Sequence, residues 1–128
     1  MGSTGGEFVT DIARRAKAKI AVNGGGFNNS GQPSGYVYKD GKIIWARNRG
    51  NKWAGGTIGF TKEGVMILTK STGKKALEEG VYHGVDFGPF LIVNGKSAKV
   101  SGNGGWGYAN RTAIAQRKDG IVLFLVID

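Results

Sequence analysis

Apolar positions along the chain fall into one helical stretch and a series of short strand-like runs. Phe8, Val9, Ile12, Ala13 and Ala16 recur near helical spacing, so Glu7 to Lys19 is predicted as one amphipathic helix. Glu7 and Asp11 lie early in it while Arg14, Arg15, Lys17 and Lys19 lie late, the order that complements the helix dipole. A shorter helix is expected from Lys74 to Glu79, stopped by Gly80. The runs "YVYKDGKIIW", "IGFTKEGVMIL", "FLIVNGKSAKV" and "IAQRKDGIVLFLVI" each set an acidic residue or Asn, followed by Gly, between two β-prone segments. Such pairs supply the positive φ of tight turns, and the pattern predicts four hairpins. Their turn glycines, 41, 64, 95 and 120, are spaced too unevenly for a solenoid repeat. The predicted class is therefore α+β: mainly antiparallel sheets built from hairpins, with an N-terminal helix and a second short helix, in a single domain over residues 1–128. The closing run "IVLFLVID" is continuously apolar, the mark of a strand covered on both faces. A chain ending on such a strand is expected to be a fragment or one half of an assembly.

Composition narrows the function. The 128 residues suit one modest core, and no apolar run approaches the roughly 20 residues of a membrane span. No signal-peptide pattern opens the chain. The absence of cysteine excludes disulfides, zinc–thiolate sites and thiol nucleophiles. Glycine contributes 24 residues, far above the usual share of about 7%, which points to turns and a site. The net charge of +9 invites an anionic partner or simply solubilises the surface. Its basic residues are dispersed and no nucleic-acid-binding signature accompanies them, so nucleic acid is not the expected partner.

Three consecutive glycines, Gly24 to Gly26, follow the short apolar segment that ends at Asn23. They form neither a P-loop nor a dinucleotide fingerprint, but their amides can line an oxyanion or phosphate site. Of the nine carboxylates, seven belong to turns, a helix start or an exposed short helix. Asp86 in "GVDFGPF" and Asp128 in "LFLVID" remain. A desolvated carboxylate there has a raised pKa unless a cation answers it. Each also has a plain reading, Asp86 as a turn cap before Gly88–Pro89 and Asp128 as a polar strand end. Arg111, at a strand entrance after the glycine-rich "SGNGGWGYAN", is the cation expected to pair with them; its planar fork suits phosphate or carboxylate oxygens, or ties down the loop. Trp106 and Tyr108 in that loop either stack on a sugar or pack the loop. His83, the single histidine, is read as structural, and neither a His-based metal site nor a cofactor is called for.

Taken in order, "AVNGGGF", "GYVYKDGKIIW", "IGFTKEGV", "DFGPFLIVNGK" and "NRTAIAQRKDGIVLFLVID" resemble the phosphodiester glycosidase family over essentially the whole chain. This is the domain of N-acetylglucosamine-1-phosphodiester α-N-acetylglucosaminidases, found also in bacterial proteins associated with exopolysaccharide. The resemblance implies hydrolysis of a sugar-1-phosphodiester and an extracellular or cell-envelope setting. It implies site roles for Asn23, Gly24, Gly25, Gly26 and Phe27, for Gly88 and Pro89, for Arg111 with Thr112, and for Asp128. Family members continue past the final strand with a Gly-Arg, a helix and a Leu-Asp-Gly-Gly motif. The resemblance therefore implies an incomplete domain, with a second carboxylate expected in the missing segment and a companion chain or second copy as candidates to complete the fold. A non-catalytic binder of anionic carbohydrate polymer would use the same loops without that carboxylate.

Overall fold

The structure, a computed structural model, describes residues 7–46, 55–99, 102 and 107–128. It is α+β, with two helices, a five-stranded antiparallel sheet and two separate two-stranded hairpins among these residues. Helix α1, Val9–Ala16, is shorter than its apolar pattern predicts: Lys17 takes the left-handed conformation at φ 52°, and the Ala18 amide closes onto the Ala13 carbonyl at 2.9 Å. The predicted charge order is used locally, with Arg14 paired to Asp11 at 2.9 Å and Arg15 to Glu7. The helix buries none of its residues, and Phe8 and Ile12 are exposed.

All four predicted hairpins form. Strands β1 (Val37–Lys39) and β2 (Lys42–Trp45) turn through Asp40 and Gly41 at φ 52° and 68°, and β6 (Ile92–Val93) and β7 (Lys96–Ser97) through Asn94 and Gly95 at φ 50° and 75°. Both pairs have the double positive φ of two-residue hairpin turns. Strands β3 (Thr57–Phe60) and β4 (Met66–Thr69) turn at Gly64, and β8 (Arg111–Gln116) and β9 (Val122–Ile127) at Gly120. Strand β5 (His83–Asp86) enters between the first two hairpins, giving the order β2-β1-β5-β3-β4. Short helix α2, Lys74–Glu78, precedes it, closed by Gly80 at φ 100° as expected.

Register separates the sheet into two faces. Thr57 stands opposite Asp86 and Ile58 opposite Val85, so alternation sends Thr57 and Asp86 to one side and Ile58 and Val85 to the other. The first side carries the core, in which Tyr38, Ala76 and Val81 are buried with Ile43, Ile67 and Leu77 packed against them. The second side faces the β8–β9 hairpin across a cavity of about 400 Å³.

The continuous apolar run of β9 is not covered on both faces, as its composition predicts. Leu123, Leu125, Val126 and Ile127 are exposed among the described residues. The hairpin is tied to the sheet by polar contacts at its ends: Gln116 Nε2 donates to the Gly64 carbonyl at 2.9 Å and Gln116 Oε1 accepts from the Met66 amide at 2.7 Å, while Thr112 bonds Asn23 at the other end.

Candidate active site

The segment after Asn23 crosses the end of β5. Of its three glycines, the middle one makes the close approach. A Cβ on Gly25 would stand 2.8 Å from the Asp86 carbonyl oxygen, inside any normal contact. Gly24 has open space on that side, and Gly26 only ordinary contact with Ser34. The chain then makes a small excursion and returns: Phe27 bridges Pro33, the Ser34 amide donates to the Gly26 carbonyl at 2.8 Å, and Asn28 Oδ1 accepts from the Ser30 and Gln32 amides. The return ends at Gly35, where a Cβ would stand 2.4 Å from the Cβ of Asp86. Two glycine loops therefore close on one aspartate.

Asp86 is buried, and its partners are not the expected cation. Its Oδ2 accepts from the Tyr36 amide at 2.9 Å, and its Oδ1 shares a 2.9 Å hydrogen bond with the Thr57 hydroxyl. Burial pushes its carboxyl above the usual aspartate range, and these two bonds oppose that rise. The pairing of Asp86 with Arg111 is thus corrected. Arg111 lies at the start of β8 and donates to the Gly107 and Asn110 carbonyls at 3.1 and 3.0 Å.

Two of the remaining site residues, Asn23 and Thr112, meet beside that strand start. Thr112 Oγ1 donates to Asn23 Oδ1 at 2.7 Å, which joins the first glycine loop to the residue beside Arg111. Arg111 stands opposite Ile127, so Asp128 follows at the same end of the hairpin. Asn23, Gly24 and Thr112 also line the apolar cavity, together with Ile58, Val85 and Phe124. Gly88 and Pro89 continue from β5 two residues beyond Asp86, and Pro89 lies against Gly55. Trp106 lies outside the described residues. Tyr108 is fully exposed. His83 sits beside the β1–β2 turn, with its Nδ1 3.4 Å from the Asp40 amide and its ring edge-on to Tyr82.

A model of the phosphodiester glycosidase family matches residues 16–128. The chain belongs to that family. It is also similar to the SPbeta prophage-derived uncharacterized protein YomE of Bacillus subtilis (strain 168), with 25% identity over 134 residues. That match takes in 99% of this chain and 21% of the relative, so the chain spans about a fifth of the relative's length. No solved structure matches.

Within this family member, three structural residues escaped sequence reasoning. Thr57 is a buried hydroxyl whose partner lies 29 residues away, and nothing local marks it. Gln116 reads as one more polar strand residue, yet it anchors the hairpin. Asn28 had a usable signal, since "NNSGQ" is turn composition in which an Asn side chain organises its own loop. Glu79 is exposed as expected, and hydrogen bonds from Thr69 and Ser71 hold its carboxyl below the usual range.

Proposed function

We propose that this protein hydrolyses a sugar-1-phosphodiester at the anomeric carbon. The observation that supports the reading is the Thr112–Asn23 hydrogen bond, which brings the residue before the glycine run to the strand start that bears Arg111. In the proposed reaction water oxygen bonds to the anomeric carbon, the bond from that carbon to the phosphate oxygen breaks, and its electron pair leaves on the phosphate. The proton lost by the water passes through a carboxylate base to the phosphate or solvent. The products are a free sugar and a phosphomonoester. Glycoside hydrolysis ordinarily needs an acid to protonate the leaving oxygen and a second carboxyl as base or nucleophile. A phosphate leaving group is already weakly basic, so donors that hold its growing charge replace most of the acid's work.

Arg111 and the amides after Asn23 are assigned to the phosphate. Asp128 is assigned as base or as stabiliser of the oxocarbenium-like centre, with a second carboxylate supplied from a segment or chain outside these residues. Gly88, Pro89 and Phe27 are assigned to the walls that hold the substrate. The test is release of reducing sugar from an N-acetylglucosamine-1-phosphodiester probe. Arg111→Lys keeps charge but loses the planar fork. Loss of one such donor raises a barrier by about 3 kcal/mol, so turnover is expected to fall roughly a hundredfold. Unchanged turnover in that variant would remove Arg111 from the reaction. Tight binding of anionic glycan without product release would replace hydrolysis with the binding-module reading.

A further inference from the structure

Beneath the glycine loops, on the α2 side of the sheet, a chain of polar contacts has one acceptor more than the hydroxyl hydrogens on it can serve. Thr57 is 0% exposed and Asp86 5%. The Thr57 hydroxyl oxygen lies 2.9 Å from the Ser71 carbonyl, 2.9 Å from Asp86 Oδ1 and 3.4 Å from the Tyr38 hydroxyl. The Tyr38 oxygen in turn accepts from the Gly73 amide at 2.7 Å. A hydroxyl carries a single hydrogen, and a carbonyl can only accept. The one Thr57 hydrogen can fully serve the Ser71 carbonyl or Asp86 Oδ1 but not both. The carbonyl has no hydrogen of its own to offer, so satisfying it takes the Thr57 hydrogen, and the Tyr38 hydroxyl can then donate to Thr57. An ionised Asp86 would be acceptor-only as well, leaving two oxygens 2.9 Å apart with no hydrogen between them. One hydrogen on Asp86 Oδ1 completes every contact, while Oδ2 still accepts from Tyr36.

We propose that Asp86 is a neutral carboxylic acid donating to Thr57, and that in this form it is the positioning residue of the Asn23–Gly26 loop. The loop rests on the Asp86 carbonyl through Gly25, and the returning chain rests on its Cβ through Gly35. Ionisation would turn the Thr57 hydroxyl toward the carboxylate and take the donor away from Ser71. The titratable group facing Asp86 from β1 is Tyr38, with Tyr36 stacked on it at 6.1 Å; β3 presents Thr57, and the two loops present glycines. Among the described residues no Lys, Arg or His is ion-paired to it. Burial favours the same neutral form. The positioning role rests on the phosphate-site reading above; the protonation does not.

Carbon-13 NMR of the full chain labelled at aspartate carboxyls reads the protonation directly. The Asp86 signal is expected to titrate well above the ordinary aspartate value of about 3.9, and a midpoint at or below that value overturns the proposal. Asp86→Asn copies the neutral acid, with its amide donating to Thr57 and its oxygen accepting from Tyr36. A folded-state pKa above the unfolded one means the native state holds the extra proton. Its stabilisation is full below about pH 3.9 and is lost as pH rises through the folded value. The wild-type folding constant should thus fall by up to about tenfold per pH unit relative to the Asn variant, then level off; a ratio constant from pH 3 to 8 overturns the proposal. For the positioning role, Asn should retain affinity for the phosphodiester probe while Asp86→Ala weakens it about tenfold, with wild-type affinity declining as Asp86 ionises. Equal affinity in Ala and Asn overturns that role. If wild type neither binds nor hydrolyses the probe, the phosphate-site reading and the positioning role fall together, and NMR alone decides the protonation.

Discussion

A missing Cβ does different work at neighbouring positions of the glycine run. Gly25 and Gly35 leave room for the Asp86 backbone and side chain, whereas Gly24 faces open space. Gly25→Ala and Gly35→Ala are therefore expected to destabilise by about 1–3 kcal/mol, the ordinary cost of overpacking, while Gly24→Ala stays within about 0.5 kcal/mol. Urea unfolding of the three variants checks this, and equal effects at all three would refute the close approach. Elimination along the sequence had isolated Asp86 as an unusual carboxylate. It could not name the partners, because Tyr36 and Thr57 lie 50 and 29 residues away and only sheet register brings them together. Arg111 was the expected partner of that carboxyl; the fold sets an amide and a hydroxyl against it instead.

Elements whose signals are local were legible. Asp40-Gly41 and Asn94-Gly95 specify their hairpins through positive φ at both turn residues, and Gly80 stops α2 where its position implied. Helix α1 is less faithful to its pattern, since Lys17 ends it without a glycine and Phe8 and Ile12 stay exposed. The β8–β9 hairpin depends on a residue that no local rule marks. Gln116 bonds the Gly64 carbonyl and Met66 amide across to the β3–β4 hairpin, and also the Gly120 carbonyl in its own turn. Gln116→Ala strips the partner from the Met66 amide and should cost about 1–3 kcal/mol locally. Hydrogen exchange should quicken in β8 and β9 while β1, β3 and β5 keep their protection. Uniform loss of protection across the sheet would show that the hairpin is not a separately held element.

For the molecule as a whole, one sheet face is closed by a helix and the other is roofed by a hairpin over an apolar cavity. The outward side chains of β9 add an exposed apolar surface on a strand whose outer edge has no ladder partner among the described residues. Such an edge promotes association. Leu125→Lys is expected to lower concentration-dependent association in size-exclusion chromatography with light scattering, while shifting unfolding by no more than about 0.5 kcal/mol. A large loss of stability would instead show that Leu125 is held in packing that its exposure denies. Family membership gives this architecture its chemical setting, and the Thr112–Asn23 contact gives the proposed site its geometry.

The amino-acid order alone determined the class, the hairpin turns and the short helix, because turn geometry and helix termination are governed by neighbouring residues. It also singled out Asp86 and Asp128 as carboxylates in apolar surroundings and Arg111 as a cation at a strand entrance. Only the tertiary structure decided which of them meet, that Asp86 is bonded by Thr57 and Tyr36, and that the most apolar strand lies open. Those outcomes depend on register between distant strands and on which surfaces find a cover, and neither is encoded within a few residues of the groups concerned.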